Sequence, residues 1–232
     1  MQLQDVVPWG RSFDEYRRMF ALSGEDLSHP ILGCGDGPAS FNATGAARGA
    51  RIVSCDPLYV FRAADIDRRI RECSFEVLSQ VRLHAHDYVW DDFRDPDDLK
   101  VHRLAAMREF LEDFERPESR RRYVAAALPR LPFGDRSFSL ALVSHLLFLY
   151  SGHLDLAFHV AAVEELLRVA SELRIFPIVA LDGRRSPYVD AVRNACEEAG
   201  IRCTVRAVPY HFQRGAFEML HLAREGAPSG PD

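Results

Sequence analysis

Lysine is nearly absent from this sequence: of 29 basic residues only Lys100 is a lysine. The Tyr-x-x-x-Lys pair used by many nicotinamide-dependent oxidoreductases therefore has no counterpart, because Pro96 stands four residues before Lys100. Cysteine is sparse too. The five cysteines (Cys34, Cys55, Cys73, Cys196, Cys203) are scattered, odd in number and free of any CxxC pair. That pattern argues against a cysteine-built zinc site and fits buried thiols in a reducing compartment better than a disulfide framework. No apolar run approaches the ~18 residues of a membrane span. The N-terminal MQLQDVVPWGRSFDEYRR has neither an apolar signal core nor a cleavage site, so a cytoplasmic protein without a membrane partner is expected. Excess positive charge is also missing. A net charge of −5 argues against a general grip on nucleic acid.

What the chain does contain is the stuff of a globular α/β domain. Its 232 residues are 47% hydrophobic and 27% charged, enough to bury a large core as one domain. Ser12 to Leu22 begins with a Ser cap and Glu15 at the capping-box spacing, and Phe13, Tyr16 and Phe20 recur at helical intervals. Strand-like runs follow at 30–32, 51–55, 123–126, 138–143, 173–181, 201–208 and 217–222, mostly separated by helical stretches. Such alternation predicts a doubly wound, mostly parallel seven-stranded sheet of the Rossmann-like type. The last two runs are joined by about eight residues, too few for a parallel crossover, so an antiparallel C-terminal hairpin is expected. A single domain over 1–225 with a disordered tail over 226–232 follows.

One connection is out of proportion. Between Asp56 and Tyr123 lie 66 residues, whereas a βαβ crossover usually takes about thirty for the whole unit. Two apolar stripes, Ile66-Ile70-Val77-Val81 and Leu104-Met107-Leu111-Phe114, predict two helices in a helical insertion at about 60–120. Asp95-Pro96-Asp97-Asp98 announces the second helix. A lid over a substrate and an extra packing layer both fit it.

The chemistry-bearing stretch is ILGCGDGPASF, residues 31–41, with Gly33, Gly35 and Gly37 at alternate positions after a strand-like start. A glycine turn there lets backbone N–H groups approach a ligand closely. Asp56, 23 residues after Gly33 and ending the next strand, is placed to accept hydrogen bonds from ribose hydroxyls. An adenosine-type ligand is implied. The dinucleotide fingerprint would need a glycine at position 38, which is Pro38.

ILGCGDGPASFNATGAARGARIVSCDPLY, together with LPFGDRSFSLALVSHLLFLY and VEELLRVA, resembles the class I S-adenosylmethionine-dependent methyltransferases over roughly Ser12 to Leu222. The resemblance implies S-adenosyl-L-methionine as cofactor and a small-molecule acceptor. It implies cofactor contacts at Gly33, Cys34, Gly35, Asp36, Gly37, Asp56, Pro57, Leu58, Ala127 and Ser144. His145 and Tyr150, after the fourth strand, become the catalytic candidates, and Arg214 an acceptor-side candidate. Three positions depart from the family pattern: Ile31 and Ala127 stand where acids are common, and Ser139 replaces the Asp of SFD. A non-catalytic protein of the same fold, binding an adenosyl ligand or a partner, therefore stays open as the alternative. No Asn/Asp-Pro-Pro-aromatic tetrad is present, which withdraws support from nucleic-acid and glutamine methylation. No metal is expected: His84, His86 and Asp87 read as a solvated loop, and His153, Asp155 and His159 as decoration of a helix start.

Overall fold

The structure, a computed structural model, describes residues 7–224; the tail expected to be disordered, 226–232, lies outside the described residues. In chain order the elements are α1 (Phe13–Met19), α2 (Gly24–Ser28), β1 (Ile31–Cys34), α3 (Phe41–Ala47), β2 (Ile52–Cys55), α4 (Ala63–Leu83), α5 (Pro96–Phe114), β3 (Tyr123–Val124), β4 (Phe138–Ser144), α6 (Leu156–Val169), β5 (Ala170–Phe176), α7 (Val189–Glu198), β6 (Ile201–Ala207) and β7 (Glu218–Arg224). The strands form one sheet in the order β3-β2-β1-β4-β5-β7-β6. All pairs are parallel except those of β7, which runs antiparallel to both β5 and β6. This is the seven-stranded sheet with a C-terminal hairpin that the alternation and the short last link predict. No helix among the described residues is long and apolar enough to cross a membrane.

Burial explains the central strands. β1 is buried along its whole length, and Leu140 to Val143 of β4 beside it are at most 3% exposed. Strands covered on both faces read as continuous apolar runs, as these do. On one face Leu32, Val143 and Leu173 pack with Leu166 of α6 and Val192 of α7. On the other, Ile31, Leu142 and Phe176 pack with Tyr16 of α1, the following Phe20, and Phe41 of α3. The capping box holds as expected: Ser12 N–H donates to the Glu15 carboxylate at 2.9 Å, and Glu15 N–H donates back to Ser12 Oγ at 3.3 Å.

Two expectations are corrected. The fifth strand runs over Ala170–Phe176 rather than 173–181. It follows α6 without a loop and stops before Pro177, which has no N–H for the ladder; Ile178 and Val179 are apolar because they enter the core outside the sheet. In the insertion, Ile66, Ile70, Val77 and Val81 are buried as expected, but the buried row of α5 is Leu99, Arg103, Ala106, Met107, Phe110 and Asp113. Leu104, Leu111 and Phe114 are only partly buried. The row turned inward because two charged residues find partners there. Arg103 pairs with Glu15 and donates to Tyr210 Oη at 3.4 Å. Asp113 accepts from Arg122 Nη2 at 2.8 Å and Tyr123 Oη at 2.7 Å.

Candidate functional site

The order of the strands reverses at β1, which lies between β2 and β4, and open α/β sheets bind ligands at such a point beyond the carboxyl ends of the strands. Here a cavity of about 400 Å³ opens there. Its floor is the glycine turn. Gly35 and Gly37 have φ of 72° and 53°, the left-handed region that glycine enters without a side-chain penalty. A Cβ on Gly35 would stand 2.6 Å from Leu146 Cδ2, so glycine is also what lets the turn pack against Leu146. Gly33 is glycine for another reason: the Asp36 carboxyl occupies the space its Cβ would take.

Asp36 thus folds back beneath the turn. It accepts from Tyr16 Oη at 2.8 Å and Ser54 Oγ at 2.6 Å. Burial nevertheless pushes its carboxyl up to about 7, against the pull of those two hydroxyls. Asp56 is held differently. One carboxylate oxygen accepts from Gly37 N–H at 2.9 Å and the other from Leu58 N–H at 2.8 Å. Burial raises its pKa and the two N–H groups oppose the rise. Each oxygen keeps lone-pair capacity for one more donor from the cavity. The helix after the turn begins only at Phe41, and none of its residues lines the cavity, so the turn backbone and not a helix end faces the ligand space.

On the opposite wall β4 delivers Ser144 and His145. His145 has φ of 53°, uncommon for a residue with a side chain. Its N–H donates to Phe176 O at 2.7 Å, and its Nδ1 lies 2.9 Å from Ser144 Oγ. Burial, with the Arg11 and Arg103 guanidiniums adding to it, holds the imidazole well below its usual pKa, so it is neutral at pH 7. Cys34, beside Cys55 across the strand pair, has its thiol pushed up by that neighbour and by burial and stays protonated.

Of the residues singled out in the sequence, Cys34, Gly35, Asp36, Gly37, Asp56, Pro57, Leu58, Ala127, Ser144 and His145 all line this cavity. Gly33 lies behind the wall. Tyr150 lines a second cavity of about 90 Å³, which shares Val7, Trp9, Arg11 and His145 with the first. Arg214 lines neither and donates to His86 O at 2.8 Å. His159 is fully buried against Phe148, a core residue and not surface decoration. Sequence reasoning passed over Trp9, Arg11, Tyr16 and Phe61 on the first cavity and Arg103 on the second. Phe61, 56% exposed on a cavity rim, carried a readable signal as an aromatic just beyond the Asp56-Pro57 corner. Arg103 carried none.

No family model matches this sequence. The uncharacterized protein MJ0045 of Methanocaldococcus jannaschii is 32% identical over 225 residues, which cover 97% of this chain and 99% of that protein. This chain belongs to the MJ0045 family. Among solved structures, the chain is similar to magnesium protoporphyrin IX methyltransferase of Synechocystis PCC 6803 with bound SAM, at 11% identity, 92% of this chain, 91% of that chain and a TM-score of 0.45. It is similar also to a SAM-dependent methyltransferase of Thermotoga maritima, a possible histamine N-methyltransferase, at 12% identity, 92% and 90% coverage and a TM-score of 0.46.

Proposed function

We propose that this protein binds S-adenosylmethionine in the larger cavity and transfers its methyl group to a small-molecule acceptor. The observation that carries the reading is the pairing of Asp56 with the left-handed glycine turn on one cavity wall. The fit is specific in kind. Asp56 has one acceptor position left on each oxygen for a pair of vicinal hydroxyls, and Pro57, Leu58 and Phe61 offer apolar surface beside it for a flat base. A side chain at Gly37 would begin 4.0 Å from Asp56 Oδ2, so glycine there keeps the space beside the carboxylate clear. When bound, the cofactor supplies an electrophilic methyl on a sulfonium.

The protein's share is then positioning and exclusion of water. In-line displacement needs acceptor and donor aligned, and His145, neutral at pH 7, can take a proton at its Nε2 from a hydroxyl or amine. Tyr150 is less suited to that role, because burial raises its phenol and its hydroxyl accepts from Val7 N–H at 3.4 Å. Ile31 is fully buried in β1 and does not line the cavity, so the isoleucine takes no polar group from the cavity wall itself. Calorimetric titration with S-adenosylmethionine, S-adenosylhomocysteine and NAD tests the proposal. Both sulfur nucleotides should bind, and Asp56→Ala should weaken them about tenfold or more, since hydrogen bonds to a charged acceptor are worth ~1.5 to 3 kcal/mol each. Binding of NAD alone would overturn the reading.

A further inference from the structure

The second cavity differs in chemistry from the first. Trp9, Tyr88, Tyr150, Phe176, Tyr210 and Phe212 line it, and α4 and α5 of the insertion close it. At about 90 Å³ it is smaller than the roughly 150 Å³ apolar cavity that takes up benzene, so it admits at most a single ring, and that only by sharing the space beside Trp9, Arg11 and His145 with the larger cavity. Two guanidiniums reach it. Arg103 is neutralised by Glu15. Arg11 is not: its Nη1 donates to Trp9 O at 3.0 Å, its buried Nε has no partner, and among the described residues no carboxylate pairs with it. The wall thus carries a half-buried guanidinium with no carboxylate partner among the described residues, set among aromatic rings, with the charge of Glu15 acting on it from beside Arg103.

A guanidinium does not shed its proton to escape such a place, and a half-buried, unpaired charge is less well solvated than one in water. An anion that forms the missing pair recovers much of that loss, and a planar carboxylate matches the guanidinium fork. Arg11 and His145 are also the polar side chains that line both cavities. We infer that the acceptor is a small aromatic acid, its ring in the second cavity and its carboxylate on Arg11. This rests on the methyl-transfer reading of the first cavity. It adds the acceptor's class and gives the insertion a task, that of walling the acceptor pocket.

Calorimetry with 4-hydroxybenzoate and its neutral counterpart 4-hydroxybenzamide, titrated into protein saturated with S-adenosylhomocysteine, tests the assignment. The acid should bind about tenfold tighter than the amide, a preference that Arg11→Gln abolishes and Arg11→Lys partly keeps. In the wild type, equal binding of acid and amide, or binding of neither, overturns it without needing the variant to fold. If Arg11→Gln instead weakens S-adenosylhomocysteine and leaves the acid preference intact, the cation serves the nucleotide's own carboxylate and the acceptor class is wrong. Failure of S-adenosylhomocysteine to bind at all sinks the methyltransferase reading. An Arg11-dependent preference for the acid in the nucleotide-free protein would still stand beside that failure.

Discussion

Asp36 sits between two hydroxyl donors and still has its carboxyl raised to about 7 from an ordinary 3.8. Desolvation outweighs two hydrogen bonds here, which gives a measurable sign. An acid whose folded pKa lies above its unfolded one is protonated in the native state while already ionised in the unfolded chain. The native state therefore loses stability as pH rises from about 4 to about 7. Asp36→Asn should flatten that part of the stability–pH curve in denaturant titrations, by at most ~4 kcal/mol at 1.36 kcal/mol per pKa unit. An unchanged slope would show that the carboxyl is ionised in the native protein. His145 calls for a variant that respects its backbone. Asn tolerates the left-handed region better than Ala, so His145→Asn should leave nucleotide affinity nearly unchanged and, once an acceptor is in hand, lower turnover ~10²-fold. The wild-type rate should show no His145 limb between pH 6 and 9, because the imidazole is neutral throughout. An acid limb near 6.5 that vanishes in the variant would contradict that environment.

At the level of elements, α1 and α5 are joined through one carboxylate. Glu15 completes the capping box of α1, pairs with Arg103 of α5, and accepts from Tyr210 Oη at 2.8 Å. Burial alone would raise its pKa, but the Arg103 charge, the bond to Arg103 and the Ser12 N–H together hold it at about 2. Removing Arg103 alone leaves a buried, unpaired carboxylate. Arg103→Met should therefore cost ~3 to 5 kcal/mol in chemical denaturation, and the double variant with Glu15→Gln should recover a good part of it. Additive losses would mean that the two groups do not interact. The same junction bears on the insertion. α5 is tied to the main core through buried charge, whereas α4 presents Phe75 at 79% exposure. Hydrogen exchange should find the amides of α5 protected nearly as well as β1 and β4, with or without nucleotide, and those of α4 less so.

For the molecule as a whole, the two buried carboxyls act in opposite directions. Glu15, with a folded pKa near 2 against an unfolded value near 4.5, contributes stability that is complete above about pH 4.5 and lost as pH falls through 2. Asp36 removes stability above about pH 4. Their sum places the best pH for these two groups on the acid side of neutrality, between about 4 and 5. Because the insertion shares the Glu15 pair with the sheet-covering α1, we expect sheet and insertion to unfold as one unit. Coincident transitions by near-UV and far-UV circular dichroism would show it, and an early separate loss of helix signal would divide the chain in two.

The sheet, its hairpin edge and most of the cavity wall were legible in the sequence because they depend on local order. Alternation of apolar runs with helical stripes, a short last link and glycines directly after a strand are read along the chain, and Asp56 ends its strand wherever that strand lies. Arg11, Arg103 and Tyr150 were decided by tertiary structure. A charged residue on an apolar helix looks like a solvated one until its partner, 88 residues away in the case of Arg103 and Glu15, is brought beside it. Tyr150 follows the fourth strand closely enough to be assigned to the first cavity, yet the chain turns it into the second. That Arg11 has no carboxylate partner among the described residues is likewise a fact about space, which no stretch of sequence records.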